Sequence, residues 1–140
     1  VNATLHKQSK LKIDTEDTAH ITLGFSKMKN KNKIVANLNM DFNRHDTTRF
    51  CKVIGESGTL HWNAIDGTIK LFEKDAGKWK TIYKKKNSRD STYVAEWKHF
   101  LNCVKKKEKP LINGSEGLEV IKIIEAIKKS SNSSSLVYLN

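Results

Sequence analysis

The chain has 140 residues, 37% of them hydrophobic, and a formal charge of +11, which allows one ordinary domain with a modest core. Only Arg44, Arg49 and Arg89 are arginines, and Lys70, Lys74, Lys78, Lys80 and Lys84 to Lys86 are not interleaved with stacking aromatics. This argues against a nucleic-acid partner, whose recognition favours the planar guanidinium and stacking platforms. No apolar run approaches the roughly 20 residues that span a bilayer.

In chain order, residues 1–6 alternate weakly and make a candidate first strand, followed by a polar loop at 7–12. Residues 17–25 set Ala19, Ile21, Leu23 and Phe25 against His20, Thr22 and Gly24, the period-two pattern of a half-buried strand. A Lys- and Asn-rich turn at 26–33 leads back antiparallel into residues 34–42. There Ile34, Ala36, Leu38, Met40 and Phe42 face one way and Asn37, Asn39 and Asp41 the other. After the polar break Asn43-Arg44-His45-Asp46, residues 47–54 and 59–62 flank Gly55-Glu56-Ser57-Gly58 as a tight hairpin. Asp66-Gly67 and Asp75-Ala76-Gly77 turn the chain into two further strands, 68–74 and 78–84. The basic stretch 84–89 reads as a loop.

Asp90 or Ser91 can cap a helix in which Tyr93, Trp97, Phe100, Leu101 and Val104 share a face. Lys105, Lys106 and Lys107 suit its C-terminal end, and Pro110 closes it. A second helix starts near Ser115; its Leu118, Val120, Ile121, Ile123, Ile124 and Ile127 cover more than one stripe. The low-complexity run at 130–135 reads as a loop to a last short strand at 136–139. The expected fold class is α+β: a mainly antiparallel open sheet of about six strands with two helices packed on one face, forming a single domain over 1–140.

No metal-like cluster stands out among His6, His20, His45, His61 and His99. Cys51 and Cys103 are too few for a zinc ribbon or a disulfide framework and read as packing residues; with no secretory segment they fit a reducing cytoplasm. Gly55-x-x-Gly58 lies in a hairpin and Gly114-x-x-Gly117 opens a helix without a preceding strand, so neither is a dinucleotide fingerprint. The opening at Val1, without a methionine, suggests a piece of a longer polypeptide.

The order of an apolar strand, an Arg-containing loop, the hairpin KVIGESGTLHW and a helix with Tyr93-x-x-Glu96-x-x-x-Phe100 resembles the C-terminal domain of the Gfo/Idh/MocA family of oxidoreductases, which includes glucose-fructose oxidoreductase and inositol dehydrogenase. IDTEDTAHITLGF at 13–25, and Gly114-Ser115-Glu116-Gly117 with the Ile-rich helix through Ala126 and Ser130, extend the likeness over nearly the whole chain. The resemblance implies the substrate-pocket and oligomerisation domain of an enzyme that uses NAD or NADP on a sugar or polyol. The N-terminal Rossmann domain is absent from this chain, so no cofactor site and no catalytic residue are expected in it. Glu108-Lys109-Pro110 matches the family's catalytic E-K-P triplet in letters only, because that triplet ends a Rossmann strand and this one follows a helix.

The resemblance also places the loop after the central strand near substrate. Asn43, Arg44, His45 and Arg49, with Tyr93 and more weakly Arg89 and Asp90, are the candidate substrate-proximal residues. The alternative is a polar loop whose arginines pair with Asp41 or Asp46. His20, Thr22, Val35, Asn37, Asn39 and His61 form an open, polar, charge-poor face through which family members pair, implying a homo-oligomer. A stand-alone interaction or scaffold domain, and a basic nucleic-acid binder, remain as other function classes.

Overall fold

A computed structural model describes residues 1–25, 33–85, 88 and 90–139. The expected turn at 26–33 lies, but for Lys33, outside the described residues, as do positions 86, 87 and 89 of the basic loop. Among the described residues are β1 (Asn2–His6), β2 (Thr18–Phe25), β3 (Ile34–Asp41), β4 (Phe50–Ile54), β5 (Gly58–Asn63), β6 (Thr68–Glu73), β7 (Lys78–Lys84), α1 (Ser91–Val104) and α2 (Gly114–Ser133). All pairings are antiparallel, and the fold is α+β as expected. The strands are seven rather than about six and form two sheets, ordered β1-β2-β3 and β4-β5-β6-β7. The division falls at the polar break after β3: of the run read as strand over 47–54, only Phe50–Ile54 pairs. The chain accordingly makes two compact units, Val1–His45 with Leu111–Asn140, and Asp46–Pro110.

The first unit holds the hydrophobic nucleus. Ala3, Ala19 and Ile21 are buried, and Leu5, Leu23 and Ile127 pack on them. Ala19, Ile21 and Leu23 are the inward set that the alternation of β2 predicts, and α2 covers them through β1. The helix begins at a capping box: Asn113 Oδ1 accepts from the amides of Ser115 and Glu116, at 2.9 and 3.1 Å, while Glu116 Oε2 accepts from Asn113 N at 2.8 Å. Its contact side is made of small residues four apart, Ala126 and Ser130, which let helix and strand approach closely. The expected broad apolar packing of α2 is narrower than its composition suggested. Leu118, Val120, Ile121 and Ile124 remain exposed.

The end of α2 corrects the sequence reading. Ser130 to Ser133 are helical, and the turn comes only at Ser134, at φ 50°. Serine has modest helix propensity and reads as loop, yet two of these hydroxyls have a tertiary task. Ala3 N donates to Ser130 Oγ at 3.0 Å and Leu5 N donates to Ser131 Oγ at 2.9 Å. β1 is an edge strand, and its outward amides would otherwise lack acceptors. Ser130 Oγ in turn donates to the carbonyl of Ser135 at 2.7 Å. Residues 136–139 form no strand, although Val137 and Val1 exchange two backbone hydrogen bonds of 2.9 and 2.7 Å.

The second unit's sheet is a plain meander. Gly55 N donates to Gly58 O at 2.9 Å to close the β4–β5 turn. Gly58 must lack a side chain, because a Cβ there would lie 2.4 Å from the carbonyl oxygen of Phe72. Gly67 and Gly77 take positive φ in the next two turns. His61, grouped from sequence with the open face of β2 and β3, instead lies on β5 of this sheet, where its ring meets Phe50 and Trp79 edge-on at 5.7 and 6.2 Å. α1 starts at Asp90, whose side chain makes no capping bond, and among its described residues it buries none. Its stripe of Tyr93, Trp97, Phe100 and Val104 is present at the expected spacing but exposed.

Replacing Ser130 by Ala leaves the buried amide of Ala3 without its acceptor. The expected loss is about 1–3 kcal/mol in denaturant unfolding, against roughly 0.5 kcal/mol or less for Ser133→Ala, where the hydroxyl is exposed and bonds only locally.

Candidate functional site

The loop that follows β3 is built on two aspartates. Asp41, the last residue of β3, accepts at Oδ1 from the amides of Asn43 and Arg44, at 3.2 and 2.8 Å, a side-chain turn that bends the chain out of the strand. Its Oδ2 lies 3.6 Å from Arg44 Nε. This pairing is the alternative weighed for the arginines, and it holds for Arg44. Both groups are partly exposed, so the pair contributes little stability and mainly orients the guanidinium.

Asp17 is the second anchor, and sequence analysis missed it. It sits just before β2, is 1% exposed, and together with Ser130 is the largest fully buried side chain among the described residues. Its carboxylate accepts from Gln8 N and Ser9 N, both at 2.8 Å, from Ser9 Oγ at 2.6 Å and from Asn43 Nδ2 at 3.3 Å. Thr18 Oγ1 lies 3.1 Å away and itself accepts from Asn43 Nδ2 at 3.1 Å. Its backbone is engaged too: Asp17 N donates to His6 O at 3.0 Å and Phe42 N donates to Asp17 O at 2.9 Å. One residue therefore ties the end of β1, the loop 7–12, the start of β2 and the loop after β3. The Gln8 amide first and the Ser9 hydroxyl second hold the Asp17 carboxyl far below the usual carboxylate range, against the opposing effect of desolvation. The only sequence signal was an Asp-Thr pair where a polar loop meets an apolar strand, which many surface turns share.

Of the candidate residues, Asn43, Arg44 and His45 lie together in this loop of the first unit, and Arg49 and Tyr93 belong to the second. Asn43 turns its amide nitrogen inward to Asp17 and Thr18; its Oδ1 is buried and has no protein donor. His45 is exposed, and Arg49 O accepts from Ala64 N at 2.9 Å beside β5. Tyr93 is exposed in the first turn of α1, where with Glu96, Trp97 and Phe100 it lines an open cleft of about 460 Å³. Arg89 lies outside the described residues, and Asp90 is the N-cap of α1. Neither cysteine is deeply packed as expected: Cys51 is exposed and Cys103 partly so, and both are free thiols. Among the described residues no group of three or more His, Cys, Asp or Glu side chains could hold a metal ion, and no helix is long and apolar enough to cross a membrane.

Neither glycine pair of the sequence, Gly55/Gly58 or Gly114/Gly117, forms a cradle for the pyrophosphate of a nicotinamide dinucleotide. Gly55 and Gly58 are closed inside a hairpin, and Gly58 abuts Phe72 O. The first free amides of α2 are taken by Asn113, with the Glu116 carboxylate beside them, where a pyrophosphate would need open donors and no negative charge.

Protonating Asp17 removes its charge-assisted bonds. Because its folded pKa is depressed, its contribution is complete above the ordinary carboxylate value near ~4 and is lost as pH falls from there toward the folded value. Asp17→Asn is expected to lower Tm at neutral pH, with the gap to the wild type closing in acid. A gap that stays constant with pH would contradict this ionisation.

Residues 1–139 match the family model described as oxidoreductase family, C-terminal alpha/beta domain, of the Gfo/Idh/MocA group. No curated protein sequence matches. Among solved structures, the aldose-aldose oxidoreductase from Caulobacter crescentus, complexed with glycerol, superposes with a TM-score of 0.74 at 19% identity over 99% of this chain and 40% of that one. UDP-N-acetylglucosamine 3-dehydrogenase GnnA from Acidithiobacillus ferrooxidans gives 0.69 at 16% identity over 95% of this chain and 40% of that one. At such identities the superpositions speak for the fold, and this chain spans about 40% of the length of either neighbour. By the family match over all but its last residue, the chain belongs to the Gfo/Idh/MocA oxidoreductases, as their C-terminal alpha/beta domain.

Proposed function

We propose that this chain supplies one wall of the substrate pocket and the oligomerisation surface of an NAD(P)-dependent oxidoreductase acting on a sugar or polyol. By itself it does not turn over. The observation that carries this is the family match along residues 1–139 in a chain that covers only 40% of its structural neighbours. Hydride transfer and the dinucleotide site then belong to a dinucleotide-binding domain elsewhere in the polypeptide, in keeping with the misfit between the described glycines and a pyrophosphate. The neighbours' names, one an aldose oxidoreductase and the other a dehydrogenase of a sugar nucleotide, support a hydroxyl-rich substrate.

In this proposal Asn43, Arg44, His45, Arg49 and Tyr93 lie near the substrate. The side chains of Arg44, His45 and Tyr93 can offer donors, acceptors and an aromatic edge to hydroxyl groups. Asn43 serves the same wall indirectly, by holding the loop on Asp17. In the full-length enzyme, His45→Ala and Arg49→Ala are expected to raise KM for the sugar several-fold more than they lower kcat. If neither variant changes KM or kcat, the loop does not face substrate.

The open face of the first sheet is the proposed surface for a second copy. His20 Nδ1 and Asn39 Oδ1 lie 2.7 Å apart, Thr22 Oγ1 donates to Asn37 Oδ1 at 3.0 Å, and Thr4 and Asn2 continue this row on β1. A hydrogen-bonded, exposed face without lysine or glutamate suits contact better than solvation in a chain that is 29% charged. A face-to-face homodimer of this kind would bury at least roughly 1,000 Å² in total. In sedimentation at tens of micromolar, the wild type is expected to be dimeric and the double substitution Asn37→Lys/Asn39→Lys monomeric. Identical behaviour of the two would remove the interface from this face.

A further inference from the structure

Apart from the loop after β3, the described residues gather one other constellation of reactive side chains, at the C-terminal end of α1. His99 and Cys103 are four residues apart on one side of the helix, which puts Cys103 Sγ 3.5 Å from His99 Nε2. The chain leaves the helix at Lys105, passes through positive φ at Lys106, and brings Glu108 back so that its Oε2 lies 2.7 Å from His99 Nδ1. Asn102 Nδ2 donates to Glu108 Oε1 at 2.8 Å, so both carboxylate oxygens are engaged. The His99 bond first, and the Asn102 bond second, hold the Glu108 carboxyl below the usual carboxylate range. An ionised carboxylate only accepts, so Nδ1 carries a proton, and in the neutral imidazole Nε2 then turns its lone pair to the thiol.

Nucleophile, base and orienting carboxylate thus stand in series, the arrangement that activates a thiol. Cys103 is in no disulfide and is partly exposed. A second feature adjoins it. Phe100 and Glu96 stand three and seven residues before Cys103 along the same side of α1, and both line the open cleft of about 460 Å³, where the rings of Trp97 and Phe100 stack with centroids 5.4 Å apart. Helical spacing thus puts the thiol on the side of α1 that carries Phe100 and Glu96, two of the residues lining the cleft.

We propose that Cys103 is a modification site, a thiol primed by His99 and Glu108 for exchange with a small organic disulfide seated in that cleft. His99 Nε2 accepts the thiol proton as Sγ attacks one sulfur of the disulfide. The new Sγ–S bond forms as the old S–S bond breaks, and the departing sulfur leaves as a thiolate that takes the proton back from Nε2. Cys103 is oxidised to a mixed disulfide and the small disulfide is reduced to one thiol, so no other oxidant is needed. The site is independent of the sugar-oxidoreductase proposal.

Cys51, exposed on β4 and paired across the sheet with Trp62, is an internal reference thiol. With glutathione disulfide as probe, mixed-disulfide formation on the whole chain is followed by intact mass, in Cys51→Ser to read Cys103 and in Cys103→Ser to read Cys51. Cys103 is expected to react at least about tenfold faster near neutral pH. His99→Asn, made in the Cys51→Ser background, brings its rate down to that of Cys51. Glu108→Ala, in the same background, lowers the rate and lets His99 sample both tautomers, which nitrogen-15 NMR of the imidazole reads directly. Equal rates for the two thiols, a comparison that needs no change at His99, would overturn the proposal. So would an undiminished Cys103 rate in His99→Asn, or an unchanged His99 tautomer in Glu108→Ala.

Discussion

The Asp17 carboxylate is the constraint on which the first unit depends. A buried anion is costly unless its lone pairs are filled, and here backbone amides, a hydroxyl and a carboxamide fill them. Those donors come from segments that share no ladder of their own: the loop after β1 and the loop after β3. The ionised group thus turns two irregular connections into fixed parts of the sheet's end. Asn43, one of the proposed substrate-proximal residues, is one of its donors, so its place in the loop is fixed by a fully buried residue.

A similar economy closes the other end of this unit. An edge strand with two open amides could pair with a neighbouring chain, and the usual protections are charge, proline or a covering element. This chain uses the last turns of α2, whose Ser130 and Ser131 hydroxyls accept from alternate amides of β1. The spacing works because alternate outward amides of a strand lie close enough together to be met by adjacent helical residues. Small side chains at Ala3, Ala19, Ala126 and Ser130 permit the approach.

Periodicity made most of the architecture legible. Alternation in β2 and β3, glycine-bracketed turns through β4 to β7, and helical spacing in α1 and α2 each reflect a local rule, and each element appears in the structure. What escaped was decided by side chains reaching across the chain. Residues 130–133, three serines and Asn132, read as loop because their propensity is indifferent and their partner strand lies at the other terminus. Asp17 carried no pattern, since its donors are mostly backbone. His99, Cys103 and Glu108 looked bland one at a time, and only the left-handed step at Lys106 brings the carboxylate back to the imidazole. His61 was misassigned because alternation gives the face of a strand and not the sheet to which the strand belongs. The candidate loop itself was located through family resemblance, while its internal geometry, with Asp41 turning the backbone and pairing Arg44, was visible only as one of two alternatives.

The loop after β3 is thus held by Asp17 and Thr18 rather than by solvent. Amide hydrogen exchange of Asp17→Asn beside the wild type tests this most directly. The account predicts faster exchange at Gln8 and Ser9 together with Phe42, whose amide bonds to Asp17 O, and with Arg44 in the loop beyond it, while the amides of β4 to β7 keep their protection. Faster exchange confined to Gln8 and Ser9, with Phe42 and Arg44 unchanged, would contradict it.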